Sequence, residues 1–159
     1  KILLAEVKNK LKDSHYQIIL EPGRSIVGTS GILLTKVEYI KEAGEKKFAI
    51  IDAGMNDLIR PSLYEAWHQV KEVERSEVDM ETYDIAGPVC ETGDVLAKDR
   101  NLRIEPNDYL AFMDVGAYGS VMSSNYNSRL KPQEILVSKD SVKVIKKKES
   151  FEDLIALEQ

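Results

Sequence analysis

The chain has 159 residues, 43% of them hydrophobic and 31% charged, with a formal net charge of −5. Those proportions belong to a folded globular protein rather than a disordered one, and the acidic balance gives no electrostatic reason to seek nucleic acid or an anionic membrane. No apolar run approaches the roughly 20 residues that span a bilayer, and the lone cysteine, Cys90, can close no disulfide within the chain, so a reducing, cytoplasmic setting is expected.

The sequence opens on Lys1, already inside a helical pattern: Ile2, Leu3, Val7 and Leu11 recur near helical spacing, with Lys8, Lys10 and Lys12 between them. An opening without initiator methionine or signal segment fits a piece of a longer chain. Tyr16 to Leu20 follows as a short apolar run of the kind found in strands buried on both faces. It ends at Glu21-Pro22-Gly23-Arg24. Helix, buried strand and Pro-Gly loop together suggest the last unit of an α/β barrel or sheet.

From about Gly31 the texture changes. Ile32 to Ile40, Phe48 to Asp52, Tyr83 to Ala86, Leu110 to Val115, Glu134 to Val137 and Val142 to Ile145 read as strands. Short helices are expected over Ser62 to Val70 and Phe151 to Leu157. Many short strands without βα alternation predict a mainly β unit, a mostly antiparallel sheet or barrel, over residues 31–159. The boundary with the preceding residues 1–30 is placed near residues 28–32. The run Lys146-Lys147-Lys148 reads as a solvated edge whose charges discourage edge-to-edge pairing.

Four clusters carry side chains suited to chemistry. In Glu21-Pro22-Gly23-Arg24-Ser25, at the end of a buried strand, Gly23 lets a ligand approach the backbone and Arg24 offers a fork for phosphate or carboxylate. The same residues would serve a plain Pro-Gly turn with a surface arginine. In residues 52–64, Pro61 suits a first helical turn, and Arg60 and Tyr64 lie one turn apart, able to meet one carboxylate; a capped helix with a half-buried tyrosine is the plainer account. Trp67 and His68 are expected to pack near that helix rather than touch a ligand. In Gly87-Pro88-Val89-Cys90-Glu91-Thr92-Gly93-Asp94, a cysteine beside a glutamate in a loop suits proton transfer, although it would equally suit a structural turn. Tyr118, between Gly116 and Gly119, is presented by an open backbone toward a ligand or plugs a strand end. One cysteine with His15 and His68 makes no metal spacing, so no metal is expected.

These clusters, in this order, resemble the carboxy-terminal portion of the diaminopimelate decarboxylases, members of the alanine-racemase-like group of pyridoxal-phosphate decarboxylases. The matching stretches are EPGRSIVG at 21–28, DAGMNDLIRPSLYEAWH at 52–68, GPVCETGD at 87–94 and GAYGSVMSSNYNSR at 116–129. The resemblance implies that residues 1–30 end a cofactor-binding (β/α)8 barrel and that residues 31–159 form most of the carboxy-terminal β-barrel domain. It implies pyridoxal 5'-phosphate as cofactor and meso-2,6-diaminopimelate as substrate, decarboxylated to L-lysine and carbon dioxide in the last step of lysine biosynthesis. It places Glu21, Gly23, Arg24 and Tyr118 by the cofactor. Arg24, Arg60, Tyr64, Glu91 and Tyr118 would contact the substrate, and Cys90 would donate the proton that replaces the lost carboxylate. Cys90 and Glu91 would reach into a partner subunit's site, so a homodimer is implied. No segment matches the motif of the lysine that holds the cofactor, so the 159 residues alone are not expected to catalyse. The chemistry of the substrate agrees independently. The non-reacting end of diaminopimelate carries a carboxylate and an ammonium, and Arg60 and Glu91 supply the opposite charges. Ornithine would leave Arg60 without a partner at a cost. Decarboxylases of ornithine, arginine or carboxynorspermidine, and a non-catalytic derivative of the fold, remain the alternatives.

Overall fold

A computed structural model of the protein describes residues 2–158; Lys1 and Gln159, the outermost residues of the two expected units, lie outside the described residues. Helix α1 covers Ile2–Lys10, with Lys8 and Lys10 in the last turn, where cations complement the helix dipole. The strand expected over residues 16–20 does not form. These residues join no ladder among the described residues, and Tyr16 and Ile19 are exposed. An apolar run becomes a strand only where another strand lies beside it to take its N–H and C=O groups, and among the described residues no strand does.

The β unit is as expected in kind. Its strands are β1 (Leu33–Ala43), β2 (Lys46–Ile51), β3 (Val70–Glu72), β4 (Glu81–Ala86), β5 (Val95–Leu102) and β6 (Tyr109–Phe112), in the spatial order β3-β6-β1-β2-β4-β5. All pairings are antiparallel except β2 with β4. The sheet curls until its outer strands meet: the backbone N–H of Arg103, just past β5, donates to Glu72 on β3 at 2.8 Å. This near-closure leaves little free edge. Inward positions fill the interior, and Val37, Ala49, Ile51, Ile85, Leu110 and Phe112 are wholly buried. A bulge in β1 between Val37 and Tyr39 lets the long strand bend from its pairing with β6 to its pairing with β2.

Two strands escaped the sequence reading. Strand β5 carries Lys98-Asp99-Arg100-Asn101, with Asp99 left-handed at φ 53° beside a bulge against β4, so its alternation is broken. Strand β3 is only three residues long. The helix expected over residues 62–70 is shorter and earlier: α2 covers Arg60–Tyr64, with Pro61 in its first turn, and ends where Glu65 turns left-handed at φ 51°. Beyond the barrel, β7 (Glu134–Ser138) and β8 (Ser141–Lys146) form an exposed hairpin. Helix α3 (Phe151–Ile155) starts at a capping box made by Ser150 and Asp153. Among the described residues no helix is long and apolar enough to cross a membrane.

Candidate active site

Three of the four sequence clusters sit on loops that follow barrel strands, and the structure gathers the four in two places. After β2, residues 52–59 lead into α2. The Asp52 carboxylate takes the Thr35 hydroxyl at 2.5 Å and the Lys36 N–H at 2.9 Å, which pins the loop to β1. Between β4 and β5 the turn 87–94 carries Cys90 and Glu91, both exposed. After β6, residues 113–118 lead to Tyr118.

The first gathering contains Gly23, Arg24, Arg60, Tyr64, His68 and Tyr118. A Cβ placed on Gly23 would have the Tyr118 hydroxyl as its nearest neighbour, at 3.8 Å, so the Pro-Gly loop and the tyrosine border one space. Tyr118 reaches it from a left-handed backbone, φ 60°. Arg24 donates through Nη2 to the Asp114 carbonyl at 2.8 Å, and its Nε is buried without a partner among the described residues. The Arg60 guanidinium stacks over the Tyr64 ring, 5.6 Å from its centre, and its Nε is also buried without a partner. Neither arginine enters an ion pair among the described residues. Two uncompensated guanidiniums with spare buried donors are equipped to receive an anion. Glu21 is exposed. Trp67 is exposed rather than packed in the core, and the Arg100 guanidinium lies 4.8 Å over its ring.

The second gathering surrounds the turn 87–94. Glu91 accepts the Tyr126 hydroxyl at 3.2 Å, and this carboxylate raises the phenol's pKa above its ordinary value. The two borders of the turn open differently. Glu91 faces a cleft of about 410 Å³ with Asn56, Ser62 and Tyr126, whereas Cys90 lines another of about 410 Å³ with Tyr39, Asp52 and Arg129. The Ser62 hydroxyl of α2 donates to the Gly93 carbonyl. Helix α2 and the Cys90 turn are therefore neighbours, but among the described residues no hydrogen bond or ion pair joins Cys90 or Glu91 to Arg60.

What ties the loops together was not singled out from sequence. Asp94, only 2% exposed, accepts the N–H of Met55 and the N–H of Val89, each at 2.6 Å. One carboxylate thus clasps the Arg60 loop to the Cys90 turn. Asp57 takes the Gly54 N–H at 2.8 Å, and Arg129 crosses from the 116–129 stretch to donate to Asn56 at 2.8 Å and to the Asp52 carbonyl at 2.6 Å. Burial pushes both Asp57 and Asp94 upward, with backbone N–H donors opposing it. All of these residues lie inside the four matching stretches, which was the one signal that could have found them. Asp94→Ala would leave two N–H groups without acceptors at about 1–3 kcal/mol each. We expect the unfolding free energy to fall by about 3 kcal/mol; a loss below about 1 kcal/mol in denaturant titration would show that the loops hold without this clasp.

A family model described as the C-terminal sheet domain of pyridoxal-dependent decarboxylases matches residues 11–116. A diaminopimelate decarboxylase of Aquifex aeolicus is 49% identical over 150 residues, covering 94% of this chain and 36% of that protein. A crystal structure of an Aquifex aeolicus protein superposes with TM-score 0.90 at 47% identity, over 99% of this chain and 40% of that one. A Helicobacter pylori diaminopimelate decarboxylase crystallised with L-lysine superposes with TM-score 0.86 at 48% identity, over 97% of this chain and 38% of that one. The chain spans little more than a third of the length of these relatives.

Proposed function

We propose, because the chain belongs to the pyridoxal-dependent decarboxylases and carries their C-terminal sheet domain, that the polypeptide containing it is a carboxy-lyase that converts meso-2,6-diaminopimelate to L-lysine and carbon dioxide. This would be the last step of lysine biosynthesis, in the cytoplasm. In this reading residues 1–30 end a barrel that holds the cofactor, residues 31–159 are the β domain, and two copies share their active sites.

The observation that carries the reading is charge left unpaired at the right places. Arg24, Arg60 and Glu91 enter no ion pair among the described residues, and Arg24 and Arg60 keep buried donors free. A molecule with a carboxylate and an ammonium at one end would complete them. The residues also fit pyridoxal phosphate. The open backbone at Gly23 beside the Tyr118 hydroxyl suits the close approach of a phosphate and a ring edge. Glu21 would border the same group. When bound, that cofactor supplies an electron sink for the charge left at the α-carbon as carbon dioxide departs.

The chain's own residues then divide the work. Arg60, with Tyr64 and Arg24, grips the non-reacting carboxylate and fixes which end of the substrate is presented. Glu91, oriented by the Tyr126 hydroxyl, takes the non-reacting ammonium. Cys90 holds a proton at Sγ and delivers it to the α-carbon. Because Asp94 fixes the turn, Cys90 and Glu91 enter a partner's site as one rigid unit.

The direct test is lysine formation. The complete polypeptide with pyridoxal phosphate is expected to release L-lysine from meso-diaminopimelate, and the isolated 159 residues to release none. Consumption of ornithine, arginine or carboxynorspermidine in preference to diaminopimelate would overturn the substrate, and turnover by the isolated chain would overturn the need for the barrel.

A further inference from the structure

His68 is 1% exposed, so its ring must satisfy its polar atoms inside the protein or with a ligand. Its Nδ1 lies 2.8 Å from the Met113 carbonyl. A carbonyl only accepts, so Nδ1 carries the proton and Nε2 bears a lone pair. Among the described residues that Nε2 is buried without a partner, and so are the Nε donors of Arg24 and Arg60. The Nε atoms of Arg100 and Arg103 are likewise buried and unpartnered among the described residues, but Arg24 and Arg60 are the arginines whose charges act on the His68 ring. The ring and Arg24 also hold consecutive carbonyls, Met113 and Asp114, where the chain turns left-handed at Asp114, φ 61°, on its way to Tyr118.

We infer that His68 is a positioning residue for the arginine pair, its Nε2 lone pair receiving an N–H of Arg24 or Arg60 when a ligand carboxylate draws the guanidiniums in. This rests on the substrate reading above. The choice of imidazole has a physical reason. A carboxylate at this position would also orient the arginines, but it would neutralise the charge that the ligand needs. A neutral ring offers a lone pair and leaves both positive charges available. The charged groups that face it are Arg24 from the Pro-Gly loop, Arg60 from α2 and Asp114 after β6, while Arg100 of β5 reaches the His68 carbonyl at 3.3 Å. Burial chiefly, then the two arginines, holds the ring below its ordinary value of 6.5, against the pull of Asp114 and the Met113 carbonyl.

The sign of the pH response follows. The interaction is present while the ring is neutral and is lost as pH falls through the ring's lowered folded-state value, because protonation turns the acceptor into a third donor. A ring that bound the anion directly would respond in the opposite sense.

The test uses the complete holoenzyme and two readouts, KM for meso-diaminopimelate and calorimetric Kd for L-lysine, which keeps the non-reacting end. His68→Asn keeps an amide donor for the Met113 carbonyl and removes the group at Nε2. We expect both constants to rise about tenfold, equal to about 1.4 kcal/mol, with kcat within about twofold. His68→Gln, with an amide oxygen near the Nε2 position, should stay within about threefold of wild type. In wild type both constants should rise as pH falls below the ring's ordinary value of 6.5, a measurement that needs no variant. Unmoved constants in the asparagine variant, equal losses in both variants, or tighter binding on acidification would overturn the role. Wild-type enzyme that neither turns over diaminopimelate nor binds lysine would sink the substrate reading and this role together, whereas normal wild type with an unaffected asparagine variant sinks this role alone.

Discussion

Replacing Arg60 by alanine in the complete polypeptide is expected to lower kcat/KM for meso-diaminopimelate about a thousandfold, roughly 4 kcal/mol, while cofactor affinity stays within about threefold. Breaking one partner of a desolvated charge pair costs about 2–5 kcal/mol, much of it from the other charge left unpaired. The upper part of that range applies because the substrate carboxylate cannot retreat to water while its reacting end is held. The surroundings of Arg60 agree with that proposed role. The Tyr64 ring and a position at the start of α2 fix the guanidinium, and among the described residues Arg60 makes no side-chain hydrogen bond or ion pair that would compete. Lysine at the same position keeps the charge but loses the planar fork, and should recover about tenfold of the loss. The check is steady-state kinetics beside a cofactor titration. An unchanged kcat/KM would remove Arg60 from the site, and a parallel collapse of cofactor binding would make it a cofactor residue instead.

The second large effect is expected at Cys90. Cys90→Ser should lower kcat about a hundredfold, within the range of about 10²–10⁴ for loss of a general acid, and should leave the cofactor's absorbance intact. Serine is nearly the same size, so the turn 87–94 keeps its hydrogen bonds to Asp94, but a hydroxyl is a far weaker acid than a thiol. The exposed position of Cys90 in the single chain agrees with a side chain that finishes its environment against another surface. Wild-type kcat in this variant would end the proton-donor role. A loss of the cofactor's absorbance would point instead to a structural role. Glu91 offers an internal comparison, because it shares the turn but faces a different cleft; its loss should appear mainly in KM.

How much of this was legible depends on the range of each interaction. The strands β1, β2, β4 and β6 were readable because their buried positions alternate or run together in sequence. Strand β5 was not, because charged residues occupy its outward face around a bulge. Helix α2 was located by Pro61 but overextended, since nothing local announces the left-handed turn at Glu65. The apolar run at residues 16–20 had the composition of a strand and lacks the neighbour that would make it one.

The candidate site divides the same way. The side chains proposed to meet the substrate, Arg24, Arg60, Cys90 and Glu91, were singled out by residue type, by the glycines and prolines around them and by the family resemblance. The residues that hold them were not. Asp94 meets Met55 across 39 positions, Arg129 meets Asn56 across 73, and His68 meets Met113 across 45. A carboxylate clasp or a buried imidazole is defined by which backbone groups come within hydrogen-bond reach, and one sequence does not state that. The amino-acid sequence by itself determined the mainly β character, the family and the chemical groups available, because periodicity, turn residues and motif spacing are local properties. Only the tertiary structure decided which loops are fastened together, that the two guanidiniums keep unused donors, and that His68 faces them with a bare lone pair, because long-range packing and burial alone set which polar atoms are satisfied and which wait for a ligand.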